Sequence, residues 1–267
     1  MKKQLVTPIN ICNVLLTTML TFHAYAGEIV AKSYDISNVN EVIVHGGGRL
    51  EVVQSDSESL RVEADKEVIE RVVIDQSGSK LTMSIKNSGS GFNIFHWFGN
   101  NQDEAKYVLR LKNLHYLGMY GASHATIGNW VGNELDVKAS GASDITFANL
   151  KLQAFYVDLS GASNSRVQQL IVDKANFQLS GAANADVKAV SQAKQLKVGA
   201  SGASNFRGKL LKVAQATVDA SGASNIDVDA TEFLDAEASG ASNIHYLGQP
   251  QLKSNASGAS HINKINN

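Results

Sequence analysis

Cysteine is all but missing from this sequence, and proline nearly so. Of 267 residues one is cysteine, Cys12, and two are proline. Cys12 lies in the N-terminal segment considered next, so a disulfide framework and a cysteine-based metal site are excluded for everything after it. The one proline beyond residue 26 is Pro250. Proline removes a ladder hydrogen bond from a strand, so its scarcity leaves long stretches free to pair. An excess of one charge is missing too. Residues 1–26 carry two lysines and no acid, and without them 22 basic residues face 25 acidic ones. That balance argues against nucleic acid or an anionic membrane surface as partner. No run after residue 26 is apolar for long enough to span a bilayer.

The first 26 residues read as a signal peptide. Lys2 and Lys3 give a positive head, Ile11 to Phe22 is mostly apolar, and Ala24-Tyr25-Ala26 offers a small-x-small cleavage pattern before Gly27. The apolar stretch is short and broken by Asn13, which argues against an uncleaved anchor. No lipobox-like Leu-Ala-Gly precedes Cys12, so lipoprotein anchoring is not expected. The mature protein is therefore expected from Gly27 onward, outside the cytoplasm, in the periplasm or secreted to the cell surface.

What the rest has in abundance is one phrase. KASGASDITFA (138–148), DLSGASNSRVQ (158–168), ASGASNIDVDA (220–230) and EASGASNIHYL (237–247) are near copies. Their central glycines belong to the series Gly121, Gly141, Gly161, Gly181, Gly202, Gly222, Gly240 and Gly258, spaced by 20, 20, 20, 21, 20, 18 and 18 residues. A sustained period near twenty marks a solenoid, whose units bury their apolar faces only against their neighbours. The sixth and second residues before the glycines from Gly141 onward are apolar and the fourth mostly so, as in Leu135, Val137 and Ala139, while Asp136 and Lys138 between them are polar. Period two belongs to strands with one buried face. Strands at this period without intervening helices predict a right-handed parallel β-helix. Length changes fall in segments such as KAVSQAKQ and LGQPQLK, where turns absorb them.

In this reading Ser-Gly-Ala-Ser is a corner. Glycine gives a backbone conformation or close approach that a Cβ forbids, and Ala and Ser are small enough to stack. The next position, which reads His124, Asp144, Asn164, Asn184, Asn205, Asn225, Asn243 and His261, can hydrogen-bond turn backbone, as Asn and Asp often do. A nucleophile needs one activated hydroxyl with its own base, and the repeated serines have no co-repeating histidine. Residues 28–115 alternate without the phrase, as in EVIVHGGGRLEVVQ (41–54), KLTMSIKN (80–87) and AKYVLRLKN (105–113). They are expected to be atypical first rungs of one solenoid over 27–267, with Gly46-Gly47-Gly48 as a degenerate corner.

These motifs, EVIVHGGGRLEVVQ, KLTMSI followed by YVLRLKNLHYLGMYGAS, and the SGASNI-type corners, resemble the putative auto-transporter adhesin head GIN domain family from about Val30 onward. The resemblance implies a right-handed β-helix and an extracytoplasmic protein with no assigned chemistry. No strands of a translocator barrel follow Asn267, so autotransport is not expected.

Several surfaces are candidates. The fifth residue after each glycine reads Thr146, Arg166, Asp186, Arg207, Asp227 and His245, an outward column whose alternating signs favour register-setting ion pairs over a binding strip. Polysaccharide lyases and hydrolases of this architecture need converging carboxylates, whereas the acids from Asp136 to Glu237 are scattered. The six histidines after residue 26 lack ligand spacing, GGxGxD calcium repeats are absent, and SGSGFNIF lacks the third glycine of a dinucleotide loop. No metal, cofactor or catalytic residue is expected. The remaining feature is NSGSGFNIFHWFGNNQDEA (87–105), where Phe92, Phe95, His96, Trp97 and Phe98 cluster between polar flanks. It reads either as a flap over the core or as a contact element for a glycan or a cell-surface protein. The expected function is non-enzymatic interaction or adhesion by an exported protein. The alternative is a carbohydrate-active β-helix enzyme, which a cleft with three or more acids on adjacent rungs would favour.

Overall fold

The computed structural model describes residues 28–86 and 104–266. The signal-peptide reading and the aromatic candidates Phe92, Phe95, His96, Trp97 and Phe98 lie outside the described residues. The chain is nearly all β, a solenoid of about seven turns with rungs about 20 residues apart.

The regular part begins at β8 (Tyr116–Gly121), β9 (Ser123–Ile127), β10 (Trp130–Val131) and β11 (Glu134–Gly141), numbered after seven strands in residues 28–115. Three long strands, β12 (Asp144–Leu159), β13 (Asn164–Leu179) and β16 (Asn205–Ala220), bend through most of a rung each. Between the last two lie β14 (Asn184–Val187) and β15 (Ser191–Ala200). After β17 (Asn225–Ala238) the rungs shorten to β18 (Asn243–Leu247), β19 (Gln251–Ala256) and β20 (His261–Lys264). Every pairing among them is parallel and keeps the repeat in register, so Asp144, Asn164, Asn184, Asn205, Asn225, Asn243 and His261 form one column. The shift to 18-residue rungs is taken up between Gly208 and Gln215, away from the corner.

Alternation fills the interior. In β11, Leu135, Val137 and Ala139 are buried and Lys138 is exposed. Phe147, Phe155, Phe177 and Phe206 run through the core as a chain of rings with centroids 5.4, 5.8 and 4.9 Å apart. Edge-to-face and tilted contacts of this kind add to the burial of the rings.

The corner has a mechanical cause. In each rung the alanine after the glycine donates its N–H to the preceding rung's glycine carbonyl, at 2.7–2.8 Å. That carbonyl lies where the next glycine's Cβ would be: 2.8 Å from a Cβ at Gly181 and 2.7 Å at Gly222, both with φ near +75°. The second serine of the phrase turns inward and is buried, except Ser260 of the last rung, which is half-buried. From Ser163, Ser204, Ser224 and Ser242 the hydroxyl closes the turn on the first serine's carbonyl at 2.8 Å. In the fourth rung Ala183 takes this place.

Residues 28–115 depart from the expectation of simple successive rungs. They comprise β1 (Ile29–Tyr34), β2 (Glu41–His45), β3 (Gly48–Gln54), β4 (Ser59–Asp65), a short helix α1 (Lys66–Ile69), β5 (Val72–Ser77), β6 (Lys80–Ile85) and β7 (Lys106–Leu111). β2 lies between β6 and β8, and β3 between β7 and β9, all parallel. Gly46 thus sits beneath Gly121, and its carbonyl is 2.9 Å from where the Cβ of Gly121 would stand. The rung that comes first in sequence is inserted between two that come later. Beyond it, β4 pairs antiparallel with β7, β1 antiparallel with β4, and β5 antiparallel with β6. These strands, with Val68 and Ile69 of α1 buried, cover Leu81, Met83, Tyr107 and Leu109. An antiparallel extension suits a terminal rung, because it pairs an otherwise open edge through short connections.

Among the described residues the opposite end carries no such cover. In β19 every residue is exposed, and Leu252, in the core column beneath Leu234, is 40% exposed.

Candidate interaction surface

The corner column is a side-chain ladder. Asn184, Asn205, Asn225 and Asn243 each donate Nδ2 to Oδ1 of the asparagine one rung back, at 2.9–3.0 Å. The asparagines therefore bond chiefly to one another and not only to turn backbone. Two residues further along the chain, Thr146, Arg166, Asp186, Arg207, Asp227 and His245 stack in register as expected. Arg207 pairs with Asp186 at 3.1 Å and His245 with Asp227 at 3.1 Å, while Arg166 turns to Asp144 at 3.0 Å. Most of these charged groups are committed to one another, which fits a register device.

A hollow of about 370 Å³ lies on another outward face. Gly199 stands in register between Gln178 and Asp219, and the Gln178 amide folds over it where a Cβ would stand. Lys197, Thr217, Asp219, Asp235 and Glu237 line it. Asp219 and Glu237 are opposed on adjacent rungs, and Asp235 holds Lys253 at 2.8 Å. Three acids scattered in sequence are thus neighbours in space. Among the described residues no group of His, Cys, Asp or Glu is arranged to hold a metal ion.

The same run of columns carries, nearer the N-terminus, a group of rings that sequence reasoning missed. Tyr116 and Tyr120 flank Gly118 on β8, and both fold over it: a Cβ there would lie 2.9 Å from the Tyr120 ring and 3.1 Å from that of Tyr116. Their hydroxyls hydrogen-bond at 2.9 Å. His45 of β2 stacks on Tyr120, centroids 5.2 Å apart and planes 19° apart. Asp136 of β11 is in register with Tyr116 on one side and Tyr156 of β12 on the other, and Glu41 pairs with Tyr116 across β2. Four rings and two carboxylates thus face outward from four adjacent rungs. Burial, then the bond to Tyr120 and its charge, pushes the Tyr116 phenol above its ordinary value. Burial likewise raises the Asp136 carboxyl, against the opposing pull of Lys138 and His115. The local signal was Tyr-x-Gly-x-Tyr in YLGMYG.

The model of the family described as "Putative auto-transporter adhesin, head GIN domain" matches residues 38–250. The chain belongs to this family. Solved structures similar to this GIN-domain chain include a putative adhesin from Parabacteroides merdae (18% identity, TM-score 0.78, 90% of this chain and 98% of that one). A protein from Parabacteroides distasonis described as a putative lipid binding protein is similar at 22% identity and TM-score 0.77, over 90% of this chain and 98% of that one. A putative adhesin from Bacteroides fragilis follows at 17% identity and TM-score 0.67, over 89% and 97%. At these identities the likeness is one of fold. No curated protein matches. No helix among the described residues is long and apolar enough to cross a membrane.

Proposed function

We propose that this GIN-domain chain is an exported, non-enzymatic interaction protein that adheres to a hydroxyl-rich glycan at the cell envelope or surface. The tyrosine platform carries the reading. Rings of Tyr116, Tyr120, Tyr156 and His45 offer flat apolar faces, and Glu41 and Asp136 beside them accept hydrogen bonds from hydroxyls. Stacked rungs hold the rings in place before any partner arrives, which lowers the ordering cost of binding. The aromatic segment 87–105 is a second contact element in this proposal, on the chemistry of Trp97 and its three phenylalanines.

The test is binding of the purified protein to glycan arrays and whole cells. Replacing Tyr116 and Tyr120 by alanine should weaken binding by about tenfold or more, since one central aromatic anchor contributes roughly 2 kcal/mol. Phe95, Trp97 and Phe98 changed together to alanine should weaken binding with the melting temperature unchanged. Native binding in the tyrosine variant would remove the platform from the account. Fractionation of a tagged protein checks export, and its retention in the cytoplasm would refute that part.

The hollow supports a second reading, a carbohydrate-active enzyme, because Asp219, Asp235 and Glu237 meet there on adjacent rungs. Release of reducing ends from a polysaccharide, lost in Asp219→Asn or Glu237→Gln, would favour it.

A further inference from the structure

Seven large apolar side chains are exposed among the described residues, and four of them lie along one edge of the solenoid. Val131, Lys151, Ile171, Gln192 and Lys212 form a single in-register column there. Val190 and Leu210 stand two residues before Gln192 and Lys212, on the same outward side, next to the paired Ser191 and Leu211. Val131 and Val190 are 61% and 70% exposed, Ile171 and Leu210 each 45%. At the strand spacing of a sheet the column is roughly 20 Å long.

The charge of this edge differs from that of the molecule. Its segments 129–133, 149–153, 169–173, 188–194 and 209–213 contain five lysines and one acid, Asp173. That leaves 17 of the 22 basic and 24 of the 25 acidic residues elsewhere after residue 26. Lys188, Lys194 and Lys209 have carboxylate partners within 2.8–3.6 Å. Lys151 and Lys212 have no ion pair among the described residues. A net acidic chain has thus collected two unpaired lysines and four exposed aliphatics along one edge, up to the rung where Lys212 meets Asp229.

We propose that this edge docks onto an anionic lipid bilayer. Aliphatic side chains between lysines match an interface whose headgroups are negative and whose acyl boundary is apolar. A second copy fits poorly, because edge-to-edge stacking would set lysines against lysines. Nucleic acid would offer Val190 and Leu210 nothing to bury against. The overall charge balance argued against an anionic membrane as partner, and the distribution of that charge reverses the expectation for this edge. Docking does not depend on glycan adhesion, since the tyrosine platform is built from other columns and either activity can fail alone.

The experiment is co-sedimentation of the purified protein with phosphatidylcholine vesicles, with and without phosphatidylglycerol. The protein should sediment with the phosphatidylglycerol vesicles and stay in solution with phosphatidylcholine alone. Lys151→Glu with Lys212→Glu should weaken binding by about tenfold or more, and Val190→Asn with Leu210→Asn should also weaken it. Both variants change only exposed side chains, and unchanged circular dichroism and melting temperature would confirm intact folding. Failure of the native protein to sediment, or full binding by both variants, would overturn the proposal. So would a dimer in light scattering that either variant dissolves, which would give the edge to a second copy.

Discussion

Asp136 shows how one residue joins the platform to the stability of the rod. Burial raises its carboxyl above the ordinary value, so the folded chain holds this proton more tightly than the unfolded chain does. A group of this kind costs the fold nothing while protonated. Stability then falls as pH rises from the ordinary carboxylate value through the raised one. Asp136→Asn, which cannot ionise, should therefore melt higher than the native protein at neutral pH and equally at a pH below the ordinary carboxylate value. Thermal melts across that range check it, and a variant less stable at neutral pH would show that the carboxylate makes a net favourable contact. Other residues carry unmet polarity inside the core. The Ser165 hydroxyl, in a column with Ile145 and Ala185, and the buried Tyr107 hydroxyl have no hydrogen-bond partner among the described residues. Burial, then Tyr34, pushes the Tyr107 phenol up to about 12.

At the scale of the element, the corner decides what can be changed. A side chain at Gly181 or Gly222 meets both a left-handed backbone and a carbonyl already bonded to the next alanine. Gly181→Val and Gly222→Val should each cost about 1–3 kcal/mol or more, whereas changes at the exposed positions of 188–195, a segment expected as a turn but of which 191–195 open β15, should cost little. Equal melting temperatures for the two kinds of variant would count against the corner geometry. Elements also divide by how much of them was legible in the sequence. Where each rung repeats the same residue types, period, strand faces and corner could be read directly. The inserted rung could not. β2 and β3 carry no Ser-Gly-Ala-Ser phrase, and nothing local says that β2 pairs with β6 and β8, or β3 with β7 and β9, across long stretches of chain. The platform stayed hidden for a similar reason, since His45, Tyr116, Asp136 and Tyr156 come from four strands and become neighbours only once the register is fixed.

Across the whole molecule the two ends differ. Antiparallel strands and a short helix cover the N-terminal core, while among the described residues the last rung leaves its own side of the core open. Leu234 and Leu252 occupy the same column one rung apart, the first fully buried and the second exposed. Leu234→Ala should cost about 2–5 kcal/mol, and Leu252→Ala well under that. Denaturant melts of the two variants compare them, and an equal loss would mean that the open end is covered in solution. Amide exchange should follow the same gradient, fastest in β19 and β20.

The corner column also has an electrical sense. Ala162, Ala182, Ala203, Ala223, Ala241 and Ala259 all send their N–H groups back toward the previous rung, and the asparagine amides point the same way. Strand ladders largely cancel their peptide dipoles, but along this one line the dipoles add, as they do in a helix. The negative pole falls at the open end, where the carbonyls of Ala256, Gly258 and Ser260 are those a further rung would engage. Whatever approaches that end meets a row of aligned acceptors beside the imidazole of His261, so donors and cations are drawn to one tip of the rod and not the other.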